Sequence, residues 1–367
     1  MKKILVVFGT RPEAIKMCPV VKSLKKNNEM ETIVCVTGQH KEMLQSVLDV
    51  FAVKPNYNLS IMKKGQTLFD ITQLILEKMQ AVLQQETPDM VLVHGDTTTA
   101  FATALAAFYL NIPVGHVEAG LRTYNPHAPY PEEFNRQAIG SMADLHFATT
   151  QQAAQRLLAE GKKENSIFVT GNTVIDALRT TVQQSYTHPV LEWLGDSRLL
   201  LMTAHRRENI GAPMQAIFKA VKQLVKQHPD IKVLYPVHPN PAVGEVARDM
   251  LGNEEHIKLV EPLDVLDFHN LMARSHLILT DSGGVQEEAP SLGKPVLVLR
   301  DVTERPEGVE AGALKLVGTN QKAIVTECSN LLQNPAQYQK MSKANNPYGD
   351  GHAAEKITDI LQERIAV

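Results

Sequence analysis

Short apolar runs alternate along this chain with longer stretches in which apolar residues recur every three or four positions. In the first half the apolar runs cover residues 3–8, 32–37, 90–94, 114–118 and 145–148. Between them, residues 12–26, 68–84 and 98–109 carry helical spacing, the last rich in alanine. The second half repeats the scheme, with apolar runs at 199–204, 232–236, 257–260, 277–280 and 295–299 and helical segments such as 213–227. Strands alternating with helices predict a parallel sheet covered on both faces. The pattern therefore predicts the α/β class, with two doubly wound Rossmann-like domains facing a cleft. The first domain spans residues 1–172 and the second 197–350. Residues 173–196 read as a polar junction, holding a helix and then an aperiodic stretch. A last helix within 351–367 is expected to pack back on the N-terminal domain.

At 367 residues the chain is long for one domain and comfortable for two. A net charge of -3 gives no basic field for nucleic acid or an acidic membrane surface. Cys18, Cys35 and Cys328 are odd in number and widely spaced, so they form neither a disulfide framework nor a zinc pattern. They read as reduced thiols. The first apolar run meets Arg11-Pro12-Glu13 too soon for a signal peptide. No stretch reaches the ~18 apolar residues of a membrane span. A cytoplasmic protein is expected.

Open parallel sheets bind ligands beyond the carboxyl ends of their strands, so the chemistry is sought there. After the first strand comes Gly9-Thr10-Arg11-Pro12-Glu13. Thr10 and Glu13 have capping-box spacing and Pro12 suits a first helical turn. Those roles leave Arg11 and Lys16 unexplained, and both can reach a phosphate near a helix N-terminus. Neither G-x-G-x-x-G after the first strand nor a Walker A motif is present, which argues against a dinucleotide enzyme or a P-loop enzyme. Asp96 follows another strand and, taken alone, reads first as a cap of the following helix. Glu118 ends an otherwise apolar strand, and Glu132-Glu133 opens a helix. Carboxylates at successive strand ends and loops raise one another's pKa and can divide acid and base roles.

The second half supplies complementary groups. His205 stands beside Arg206 and Arg207, and His238 follows the next strand. The run Leu279-Thr280-Asp281-Ser282-Gly283-Gly284-Val285-Gln286-Glu287-Glu288 passes from strand to glycine turn to helix. Glycine lets backbone N–H groups approach a phosphate, and the helix dipole favours the anion. Glu288 lies one turn inside, where it can accept from ribose hydroxyls. Arg300 and Arg305 follow the next strand and are expected to add positive charge beside that phosphate.

Together these segments resemble the non-hydrolysing UDP-N-acetylglucosamine 2-epimerases of bacteria. The matching pieces are FGTRPEAIK, VTGQH, VHGDTTT, HVEAGLRT, YPEEFNR, AHRREN, LTDSGGVQEEAPSLGKPVLVLR and TERPE, spread over residues 8–307. The resemblance implies the GT-B-like fold of many nucleotide-sugar glycosyltransferases. It implies interconversion of UDP-N-acetylglucosamine and UDP-N-acetylmannosamine through a glycal-like intermediate, with no nicotinamide or metal, for cell-surface polysaccharide synthesis. It gives catalytic positions to Asp96, Glu118, Glu132 and His205. It gives substrate contacts to Arg11, Lys16, Ser282, Gly283, Gly284, Glu288 and Arg305, with Phe268 near the uracil. A second, regulatory UDP-N-acetylglucosamine is implied at Gln39, His40, Gln66, Arg206 and His238, and a homodimer is expected. Two places depart from the family: Leu263 replaces a polar residue near the uracil, and residues 124–130 diverge. Three other readings stay open: a glycosyltransferase with a UDP-sugar donor, a hydrolysing epimerase, and an inactive UDP-sugar sensor. The carboxylates favour proton chemistry.

Overall fold

The structure, a computed structural model, describes residues 1–38, 41–63 and 65–365. The first half builds a parallel sheet from β1 (Lys2–Phe8), β2 (Met30–Val36), β3 (Tyr57–Asn58), β4 (Met90–His94), β5 (Val114–Ala119), β6 (Leu145–Ala148) and β7 (Ile167–Val169). The second builds another from β8 (Arg198–Thr203), β9 (Ile231–Pro236), β10 (Ile257–Val260), β11 (Leu277–Thr280), β12 (Val296–Val298) and β13 (Leu314–Leu316). The strand orders are β3-β2-β1-β4-β5-β6-β7 and β10-β9-β8-β11-β12-β13. Both sheets are doubly wound and Rossmann-like, the GT-B-like class that the pattern and the resemblance predict. Each order reverses at one place, between β1 and β4 in the first sheet and between β8 and β11 in the second. That is where such sheets open a crevice for ligands.

The pattern misses β3, β7 and β13. Each is a two- or three-residue strand at or near a sheet edge, too short to show a period. The central strands are unmistakable because both their faces are covered. Residues Ile4 to Phe8 of β1 are all fully buried. In the first unit, Leu5, Val7, Val91 and Val93 pack with Ile75, Met79 and the alanines of the helix Thr98–Tyr109. Their small side chains let that helix lie close to its neighbours. In the second unit, Leu200, Met202 and Tyr235 pack with Phe218, Val221 and Leu224 of the helix Ala212–Gln227. Cys18, Cys35 and Cys328 are free and buried.

The chain divides into one unit of Met1–Thr180 with Tyr348–Val367 and a second of Thr181–Pro347. The segment read as a junction over 173–196 is therefore shared. The helix Thr173–Thr181 buries Val174, Ile175, Ala177 and Leu178, and all but its last residue belongs to the first unit. The helix Pro189–Leu194 belongs to the second. The final helix, Ala353–Ile365, lies in the first unit, where Thr358 donates a 2.8 Å hydrogen bond to Ser23. Among the described residues, no helix is long and apolar enough to cross a membrane.

Candidate functional site

The predicted capping box forms at the carboxyl end of β1. Thr10 accepts from the Glu13 amide, and the Glu13 carboxylate accepts from the amides of Gly9 (3.0 Å) and Thr10 (2.8 Å). Thr97 donates to the other Glu13 oxygen at 2.7 Å, tying the ends of β1 and β4 together. Glu13 is thus occupied in architecture. One helical turn on, Lys16 forms an ion pair with Glu118.

Glu118 is the focus of this unit's polar groups. Its Oε2 meets the Lys16 ammonium, receives the Asn172 amide at 3.2 Å and lies 3.6 Å from His94 Nε2. Its backbone has φ +66°, and the β5–β6 register shifts at this position. A left-handed conformation at glutamate costs on the order of 1–3 kcal/mol and persists only where surroundings enforce it. Burial raises the Glu118 pKa, but Lys16 and His94 outweigh burial and hold it well below the usual carboxylate range.

Asp96 goes the other way. Burial is the largest influence and pushes it up to about 6, opposed by Arg136 and reinforced by the charges of Glu118 and Glu132. Its carboxylate pairs with Arg136 at 2.8 Å, and its backbone carbonyl accepts from Asn135 at 2.9 Å. The charges of Glu118 and Glu132 both act on Asp96, which places these three predicted carboxylates in one electrostatic neighbourhood. Glu133, beside Glu132, is fully buried and accepts from the amides of Thr123 and Tyr124 and from Gln137. It anchors the start of the divergent 124–130 segment.

In the second unit the organising group is Asp281, which is fully buried. Its Oδ2 accepts from the amides of His205 (2.8 Å) and Arg206 (2.9 Å) and from Asn209 (3.0 Å). This fixes the turn after β8 against the turn after β11. The His205 ring stacks on His238 with centroids 5.2 Å apart, and its Nδ1 is 3.6 Å from Asp281. Burial lowers the His205 pKa; His238 and Arg206 act in the same direction, and Asp281 opposes them.

Ser282 caps the helix Gly283–Glu288 without a side-chain hydrogen bond. A Cβ on Gly283 would lie 2.7 Å from the Arg305 guanidinium carbon, so the missing side chain is what lets Arg305 stand there. Arg305 is held by Glu287 at 2.9 Å and Glu304 at 3.5 Å. Glu288 lies 3.3 Å from the buried His269, whose neighbour Phe268 is partly exposed.

Arg300 binds Glu208 and Glu304, each at 2.7 Å, so two glutamates offset its charge, as Glu287 and Glu304 do for Arg305. Burial raises the Glu304 pKa, but the Arg300 hydrogen bonds prevail and bring it to about 2.

Arg11 begins its helix half-buried. Among the residues expected to bind a regulatory nucleotide, Gln66 donates to the Ile61 carbonyl at 2.5 Å and lines a small surface pocket of about 350 Å³. Arg206 donates from Nε to the Asp281 carbonyl at 3.3 Å, and His238 is exposed. Gln39 and His40 lie outside the described residues.

Sequence reading overlooked His94, Arg136, Asn172 and Asp281 as working residues. His94, Arg136 and Asp281 sit inside motifs already singled out, and Arg136 follows Glu132 at helical i+4 spacing. Asn172 carries no local signal beyond that of a helix start.

Known proteins are similar to this chain in sequence and in fold. The sequence profile of the family described as UDP-N-acetylglucosamine 2-epimerase matches residues 22–362. A Bacillus subtilis (strain 168) protein named UDP-N-acetylglucosamine 2-epimerase is 58% identical over 359 residues, covering 98% of this chain and 94% of its own. A crystal structure from Listeria monocytogenes superposes with a TM-score of 0.95 at 55% identity, over 100% of this chain and 97% of that one. The Neisseria meningitidis UDP-GlcNAc 2-epimerase, crystallised with UDP-GlcNAc bound, gives a TM-score of 0.90 at 47% identity, over 98% of this chain and 100% of that one.

Proposed function

This chain belongs to the UDP-N-acetylglucosamine 2-epimerase family, an isomerase family, and from that membership we propose that it interconverts UDP-N-acetylglucosamine and UDP-N-acetylmannosamine. A carboxylate takes the C2 proton while the C1–O bond to UDP breaks, leaving a C1=C2 bond in 2-acetamidoglucal. A proton is then delivered to the opposite face of C2, and the UDP oxygen adds back to C1. Atoms and charge balance, because UDP and the proton both return.

One observation carries this reading: neighbouring carboxylates are pushed in opposite directions. Glu118 is held anionic, whereas Asp96 is shifted up to about 6. Groups whose environments separate their pKa values are suited to divided acid and base work. Glu132 and His205 complete the proposed proton-transfer set. The leaving diphosphate requires fixed N–H donors and cations. Ser282, Gly283, Gly284 and Arg305 fill that role here, with Arg11 and Lys16. Glu288 is assigned to the ribose and Phe268 to the uracil.

The test is incubation with UDP-N-acetylglucosamine in deuterium oxide, followed by proton NMR. Epimer carrying deuterium at C2 is expected. Free N-acetylmannosamine would identify a hydrolysing enzyme, and no exchange would favour a glycosyltransferase or a sensor.

The reading extends to activation by a second UDP-N-acetylglucosamine through Gln39, His40, Gln66, Arg206 and His238. Stacking of His238 on His205 supports a link from that group to the proton-transfer set. Unchanged kinetics from UDP-N-acetylmannosamine in Gln39→Ala would remove this part. The protein is further proposed to act as a cytoplasmic homodimer in cell-surface polysaccharide synthesis. A monomer mass in sedimentation would overturn the dimer, and unaltered surface polysaccharide in a deletion strain would overturn the role.

A further inference from the structure

Asn172 stands between β7 and the helix Thr173–Thr181 and is 2% exposed. Both ends of its amide are committed. Oδ1 accepts from the Val174 N–H at 3.0 Å, the bond that starts the helix. An N–H can only donate, so this bond settles which end of the amide is oxygen. The NH2 group therefore faces Glu118 and donates to its Oε2 at 3.2 Å. The backbone is pinned as well. The Asn172 N–H donates to the Tyr348 carbonyl at 2.7 Å. The preceding Gly171 has φ +93°, and a Cβ there would lie 3.2 Å from the Gly349 Cα.

We propose that Asn172 is a positioning residue for the reaction: it donates to Glu118 Oε2 and fixes that carboxylate in its proton-transferring orientation. This rests on the reading of Glu118 as a proton-transfer group. Other groups also bear on Glu118. Lys16 reaches it from the helix Arg11–Lys26, His94 from β4, and the charge of Asp96 interacts with it from the loop after β4. Lys16 supplies attraction that acts from many directions. Asn172 adds a directional donor without charge, anchored in a segment distant in sequence from both.

The helix start makes a clean test available. In Asn172→Asp a carboxylate oxygen still accepts from Val174, so the cap survives. The donor to Glu118 is replaced by a second carboxylate, which raises the pKa of the pair. In Asn172→Ser the hydroxyl keeps the cap but does not reach Glu118. C2 deuterium exchange is followed against pH for the wild type and both variants, with thermal melting alongside.

The acid-side limb of the profile is expected to move to higher pH by about one unit or more in Asn172→Asp. A smaller move in the same direction is expected in Asn172→Ser, with melting near the wild type, whereas Asn172→Asp, which buries a second carboxylate, is expected to melt lower at pH 7. Unmoved limbs in both variants overturn the proposal, and a lowered melting temperature with unmoved limbs reduces Asn172 to a structural role. Exchange by the wild type with unmoved limbs leaves the epimerase reading standing. Absence of wild-type exchange overturns both.

Discussion

The carboxylate group of the first unit and the glycine turn of the second occupy equivalent places in two similar sheets, yet their charges are handled in opposite ways. Asp96 stands at one reversal of strand order, after β4, with Glu118 at the end of the adjacent β5, and the glycine turn stands at the other reversal, after β11. In the first unit, acids are gathered faster than cations can neutralise them. Glu118 takes Lys16, and Asp96 shares Arg136 and is left with a raised pKa. The backbone is strained as well, with positive φ at Glu118. In the second unit the buried acid, Asp281, accepts at Oδ2 from two backbone amides and Asn209, and Arg305 is braced by Glu287 and Glu304. Proton transfer needs groups whose ionisation is poised. Holding an anion needs donors whose charge and direction are fixed in advance.

Four substitutions bear on that contrast. The largest effect is expected from Glu118→Gln, which keeps the shape and removes the charge. C2 exchange should fall by about 10²–10⁴-fold, while UDP binding measured by calorimetry persists. Equal losses of exchange and UDP binding would mean that the two units do not divide the work.

Asp281→Asn removes the charge on which three hydrogen bonds converge. A loss of roughly 2–3 kcal/mol is expected in denaturant unfolding. An unchanged midpoint would show that the turn after β8 does not depend on Asp281.

Gly283→Ala is the third. The added carbon displaces the Arg305 guanidinium from its position. UDP affinity should weaken by about tenfold, or ~1.4 kcal/mol, with little change in melting. Retained affinity would mean that Arg305 works from elsewhere.

Asp96→Asn has the smallest expected effect on stability, and its sign is opposite to that of Asp281→Asn. The folded state holds the Asp96 pKa above its ordinary value, at about 6. Between the ordinary value and about 6 the native state binds more protons than the unfolded one, so this group's contribution to stability falls as pH rises through that window. Asp96→Asn is expected to gain roughly 1 kcal/mol at pH 7 and nothing near pH 4, with loss of C2 exchange. Loss of the Arg136 ion pair keeps the gain small. Destabilisation at pH 7 would place Asp96 with Asp281, among the structural acids.

Local signals made much of this legible. The long central strands and the capping box at Thr10 and Glu13 depend on neighbours a few positions apart, and the apolar period and N-cap chemistry record them directly. Edge strands β3, β7 and β13 escaped because two or three residues carry no period. The limit of the first unit at Thr180 escaped because the helix Thr173–Thr181 has polar residues at both ends and its apolar face is apparent only when packed. The ion pairs of Arg300 are invisible in its motif for a related reason. Its neutralisation depends on Glu208, 92 residues away, as well as on Glu304.

The sequence by itself determined the class of fold, the strand-end positions of the candidate groups and the family. Short-range periodicity and contiguous motifs are enough for those. Only the tertiary structure decided which charges answer which. Lys16 and Asn172 reach Glu118 across 102 and 54 residues, and Asp281 reaches back 76 to the His205 amide. A carboxylate's pKa depends on burial and on charges within a few ångströms. Separation along the chain does not record either, so Asp96 and Glu118, both acids at strand ends, acquire opposite tendencies only on folding.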